Sequence, residues 1–105
     1  MTDRFVLMVQ PSGGGKFLTN HELKVFGKIP GGNTVQWVTQ AVDYLPYTVV
    51  VQIPNGITGN FCVSCEIEDK SDGRVKYASI GTHVATFLTT ASQLRVEPIL
   101  RRSCA

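Results

Sequence analysis

The sequence predicts an all-β domain, a small antiparallel β-sandwich or open β-barrel of about seven strands. Three observations predict it. Only 17% of the residues are charged, and Val, Thr and Gly are frequent, a balance that suits strands and turns better than long helices. Short apolar runs recur between clusters of Gly, Pro, Asn and Asp, as in folds built from many short strands. A length of 105 residues is enough for one hydrophobic core and too short for two, so residues 1–105 are read as a single domain.

Residues 4–10, RFVLMVQ, make a first strand stopped by Pro11. Ser12, Gly13, Gly14, Gly15 and Lys16 form a flexible loop. A Gly-rich loop ending in Lys resembles a phosphate-binding loop, but Phe17 stands where magnesium would need a Ser or Thr, so a connector is the better reading. In residues 21–29, Leu23, Val25, Gly27 and Ile29 share one strand face, and Glu22, Lys24, Phe26 and Lys28 share the other. Gly27 marks a bulge or a close backbone approach.

Residues 34–45 carry two periods. Val35, Val38, Val42 and Leu45 fall at helical spacing, with Asn33 and Gln36 placed as a capping box, while Val35, Trp37 and Thr39 fall at strand spacing. The β-branched content favours a strand over residues 34–40, followed by a turn through Asp43 to Pro46. Residues 47–53 form a nearly continuous β-branched run, expected to be covered on both faces. Phe61, Val63, Cys65 and Ile67 alternate with Cys62, Ser64, Glu66 and Glu68, the pattern of a strand with one dry face. Pro54, Asn55, Gly56 and Gly59 between these two segments predict that they pair as the central hairpin.

Asp72-Gly73 signals a tight hairpin between residues 62–68 and a returning strand over residues 74–80. Residues 82–94 again fit both periods: Val84, Phe87, Leu88, Ala91 and Leu94 suit a helix, whereas the threonines favour a strand over residues 82–90 with a turn near residues 90–92. Helices at 34–45 and 82–94 would make the fold α+β instead. Residues 93–100 are read as the last strand, held to an edge by Pro98. Residues 101–105 are read as a short, mobile basic tail.

An odd count of three cysteines argues against a disulfide framework and for a reducing, cytoplasmic setting. Cys62 and Cys65 form a C-x-x-C. Three positions apart on one strand, they point to opposite faces, so they are read as packing residues and not as a zinc or redox pair. The two histidines, His21 and His83, have no spacing that ties them to a cysteine or a carboxylate pair. No catalytic residue, metal site or cofactor is therefore expected. The five-residue apolar run at residues 5–9 is too short for a secretory signal, and no run is long enough to span a membrane.

The formal charge of +2 is unevenly spread, since residues 31–69 contain no Lys or Arg. Opposed acidic and basic faces, strand edges and the outward apolar candidates Phe26 and Trp37 point to a non-enzymatic interaction or structural module that self-associates, or that binds a protein partner. The alternative is a β-barrel binding single-stranded nucleic acid. Lys24, Phe26 and Lys28 would then join Arg74, Lys76, Arg101 and Arg102 in a basic groove with one stacking ring.

Overall fold

Eight strands follow one another: β1 (Arg4–Pro11), β2 (Lys16–Lys28), β3 (Thr34–Leu45), β4 (Tyr47–Gln52), β5 (Asn60–Asp69), β6 (Arg74–Ser79), β7 (Thr82–Ala85) and β8 (Ala91–Pro98). The computed structural model describes residues 4–54, 57, 59–85, 91–98 and 101–104, and no helix occurs among them. Both doubly periodic segments are strand wherever they are described. The turn expected near residues 90–92 gives way to β8 from Ala91 onward; residues 86–90 lie outside the described residues, as do Asn55 and Gly56 of the expected turn.

The strands form one sheet in the order β3-β2-β5-β6-β8-β1-β4, with β7 paired to β5 beside this path. Its two ends, β3 and β4, are consecutive in the chain and joined only by Pro46 after a cis bond from Leu45, so the sheet curls into a nearly closed barrel. Neighbours are antiparallel except β1 and β8, which run parallel with Val6 opposite Ala91. Bulges bend the long strands. One lies between Phe17 and His21, and another leaves Trp37 without an opposite residue, because Val25 faces Val38 while Phe26 faces Gln36.

Alternate residues of β1, β2, β4, β5 and β8 fill the barrel, whereas β3 buries only Val42 and Leu45. Leu7 and Val9, Leu23 and Val25, Val49 and Val51, Leu94 and Val96, and the run Phe61, Val63, Cys65 and Ile67 are all buried. The predicted dry face of residues 61–67 is thus the spine of the core. Gly27 is buried beneath Trp37, and a Cβ there would overlap the indole ring. The close approach expected at this glycine is an aromatic one.

Several expectations need correcting. Residues 47–53 and 61–68 do not pair with each other: β4 pairs with β1 and β5 with β2, so the two segments are not the arms of one hairpin. β4 is not covered on both faces, since Val50 is 54% exposed; its β-branched residues suit the strand, and only alternate ones are inside. β3 does not stop near Gln40 but runs to Leu45, and the corner is made by Pro46 alone. β8 is an inner strand between β6 and β1, with Pro98 at its end opposite Tyr77, where the missing N–H costs the ladder little.

The β5–β6 hairpin forms as read, with a register shift at Ile67/Glu68. Its turn is held by Asp69 and Asp72: Ser71 N–H donates to Asp69 Oδ1 at 2.9 Å, Arg74 N–H donates to Asp72 Oδ1 at 3.0 Å, and Gly73 takes a φ of 71°. The hydrogen bond from Lys76, followed by that from the Arg74 amide, holds the Asp72 carboxyl below its usual range.

Candidate functional site

The outer face of β2 and β5 carries most of the polar side chains singled out in the sequence. Cross-strand pairing sets Lys24 opposite Glu66, Phe26 opposite Ser64 and Lys28 opposite Cys62, so Lys24, Phe26 and Lys28 do share one face. That face is not uniformly basic. Lys24 Nζ donates to Glu68 Oε1 at 2.9 Å, and this bond holds the Lys24 ammonium above its ordinary range, against the smaller effect of burial.

The C-terminal residues cross this face and are not a free tail. Cys104 is joined to Cys62 by a disulfide. Gly81 N–H donates to the Ser103 carbonyl at 2.6 Å, and Ile80 and Ser103 form a parallel bridge. The Arg102 guanidinium lies 3.9 Å above the Phe26 ring, with Nε 3.6 Å from Glu66 Oε2. Cys62 and Ser64 point outward by their place in β5, yet both are buried. Gly81 completes the fit, because a Cβ there would overlap both disulfide sulfurs.

Phe26 is therefore covered by Arg102. Arg74 and Lys76 lie on β6, on the far side of β5 from Lys24 and Lys28, with Glu66 and Glu68 between them. Lys76 Nζ is bonded to Asp72 Oδ2 at 2.7 Å, and Arg101 is exposed. The structure brings Lys24, Phe26, Lys28 and Arg102 together and keeps Arg74 and Lys76 apart from them.

Trp37 turns inward, correcting its expected outward position: its ring meets Phe61 edge-on, with centroids 5.0 Å apart. Its margin lines an apolar hollow of about 260 Å³ with Gly27, Ile29, Asn33, Val35 and Ile57, and Val35 is 56% exposed. At the opposite end of the β2–β3 hairpin, Phe17 is 88% exposed. Its ring meets Tyr44 edge-on at 4.8 Å, and Tyr44 lies across Gly15, where no Cβ would fit. Sequence reasoning passed over Phe17 because it follows the Gly-rich loop; the available signal was the Phe17–Leu18–Thr19 alternation, which sends Leu18 inward and Phe17 out.

A polar hollow of about 500 Å³ is lined by His21, Glu22, Asp43, Tyr47 and Lys70, among others. His21 Nδ1 is 2.8 Å from the Thr19 carbonyl and Nε2 is 4.0 Å from Asp69 Oδ2. A base there has no cysteine nucleophile to activate, because Cys62 is disulfide-bonded and Cys65 is buried in the core. Burial pushes the Cys65 thiol up to about 12, opposed by the Ser79 hydroxyl. Among the described residues no group of three His, Cys, Asp or Glu side chains is placed to hold a metal ion.

Cys65 makes a pH prediction. Its thiol stays neutral in the folded chain up to about pH 12 but ionises near 8.5 in the unfolded one. Stability from this group is complete below the unfolded value and falls through the window up to the folded one, by about 1.4 kcal/mol per pH unit. Urea unfolding of the native protein and of Cys65→Ala between pH 8 and 11 checks it: the variant starts less stable but shows the shallower alkaline decline.

No protein-family model matches the chain, and neither a curated protein nor a solved structure is similar enough to be matched. No helix among the described residues is long and apolar enough to cross a membrane. The odd cysteine count behind the reducing-compartment expectation is accounted for by one disulfide and one buried thiol.

Proposed function

We propose that this chain is a non-enzymatic structural module that associates with copies of itself head to tail. The reading is carried by one observation: an exposed aromatic knob, Phe17 against Tyr44, and an apolar hollow at Ile29, Val35 and Trp37 stand at opposite ends of the same hairpin. The two ends are separated by roughly 30 Å of strand, so one copy cannot fill its own hollow. A contact between two different patches propagates, as rings where the rotation closes and as filaments where it does not. Burying the Phe17 ring would contribute about 1.5–3 kcal/mol, against about 8 kcal/mol for a micromolar contact. The neighbouring apolar residues and the exposed edge of β3 would supply the rest, and the assembly depends on concentration.

The nucleic-acid alternative draws less support, because Glu66 and Glu68 stand between the basic residues of β2 and β6 and Arg102 occupies the Phe26 ring. Sedimentation over a range of concentrations, at low and high salt, tests the proposal. The native protein should show a mass that rises with concentration and does not fall at high salt, as apolar contacts require. Phe17→Ser should weaken the association tenfold or more. A native protein that is strictly monomeric throughout overturns the reading, whereas association lost at high salt would transfer it to the charged faces.

A further inference from the structure

We propose that residues 101–104 are a redox-latched strap: reduction of the Cys62–Cys104 disulfide by a dithiol frees this segment and uncovers the outer face of β2 and β5. The inference stands independently of self-association. Its first support is burial of the wrong face. Cys62 and Ser64 occupy outward positions of β5, yet Ser64 is 0% exposed, and the C-terminal segment is tied to this face on either side of it, at Cys62 and at Phe26, the cross-strand neighbour of Ser64.

The second support is how thinly the strap is held apart from the covalent bond. The short parallel bridge of Ser103 to Ile80 with its hydrogen bond at Gly81, one ion pair at 3.6 Å and one cation–π contact at 3.9 Å are its described attachments. Against them, Ser64 Oγ and Arg102 Nε are buried with no hydrogen-bond partner among the described residues, a cost that hydration removes once the strap lifts. Gly81 has no room for a side chain beneath the sulfurs, so the backbone is shaped around the bond itself.

The third support is that opening leaves the core alone. Phe61, Val63, Cys65 and Ile67 lie on the inner face of the same strand. Cys65 therefore cannot exchange into the disulfide, and the pair can break and re-form without scrambling. Cys104 is half-buried and Cys62 buried, so the dithiol, through one sulfur ionised to thiolate, attacks Cys104 Sγ and forms a mixed disulfide. The Cys62–Cys104 bond breaks and Cys62 leaves as a thiolate beside its cross-strand neighbours Lys28 and His83. The reductant's second sulfur then displaces Cys104 and closes the reductant's own disulfide. Two electrons and two protons pass to the protein, which ends with two thiols.

Amide hydrogen exchange and limited trypsin digestion, each with and without dithiothreitol, test this on the whole chain. On reduction the Gly81 amide should exchange at least tenfold faster and cleavage after Arg101 and Arg102 should accelerate by a similar factor, while the emission of Trp37, packed on Phe61 in the core, stays that of the folded protein. Reoxidation should restore both. Cys104→Ser should show the reduced behaviour without dithiothreitol; should that variant fail to fold, the reductant series on the native protein decides alone. Unchanged Gly81 exchange and cleavage on reduction overturn the proposal, as does a shift of the Trp37 emission to that of the urea-unfolded chain, since that would be unfolding of the barrel and not release of a strap.

Discussion

Phe61→Ala is expected to lower the stability of the fold by about 3–5 kcal/mol, the cost of emptying a fully buried aromatic site. Phe61 is 0% exposed and is the partner of two other rings, with centroids 5.6 Å from Phe5 and 5.0 Å from Trp37. Each pair adds about 0.5–1.5 kcal/mol beyond burial. Domains of this size are stable by only about 5–15 kcal/mol, so a large share of the total is at stake. Trp37 is the only tryptophan, and its emission reports the loss of this cluster directly in urea unfolding. Phe17→Ala is the internal control: the same residue type removed from an exposed position should change stability by no more than about 0.5 kcal/mol. Equal effects at the two positions would mean that the strand faces are assigned wrongly.

Cys104→Ser is expected to cost about 2–4 kcal/mol in equilibrium urea unfolding. The disulfide joins residues separated by 42 positions, and a loop of that length removes entropy from the unfolded chain worth about 4 kcal/mol in the chain-entropy account, before any native strain is subtracted. Because the effect acts on the unfolded chain, the variant should also expose more surface on unfolding and show a larger m-value than the oxidised protein. A loss below about 1 kcal/mol with an unchanged m-value would indicate that the bond constrains little beyond the residues it joins.

How far the sequence could be read depends on the range of the interaction concerned. The alternation of Phe61, Val63, Cys65 and Ile67 is a local signal, and it identifies the core spine because a strand shows its two faces with a period of two. The Asp72-Gly73 turn is local too, and the hairpin it predicts is present. Strand pairing is not local. The β-branched run at residues 47–52 and the strand at residues 60–69 look like hairpin partners along the chain, yet each finds its neighbour elsewhere, and no residue in the connector distinguishes a hairpin turn from another connection.

The candidate surfaces follow the same division. Lys24, Phe26 and Lys28 share a face because two-residue spacing requires it. That Arg102 lies on Phe26 and that Cys104 reaches Cys62 depends on where residues 101–104 lie in space, which the periodicity of neither segment carries. Cys62 looked like an unremarkable outward cysteine for that reason. Trp37 was misplaced because a bulge shifts the phase of β3 by one residue and turns the ring inward over Gly27, which has no Cβ to oppose it.

Mixing two crippled variants tests head-to-tail assembly most directly. Phe17→Ser removes the knob and leaves the hollow, whereas Val35→Glu places a charge at the hollow and leaves the knob. Both positions are exposed, so neither substitution should disturb the core. Each variant alone should sediment as a monomer, and an equimolar mixture should form a dimer that does not grow, because one intact knob meets one intact hollow and the remaining ends are blocked. A mixture that stays monomeric at concentrations where the native protein assembles, or either variant assembling alone as the native protein does, would contradict the account.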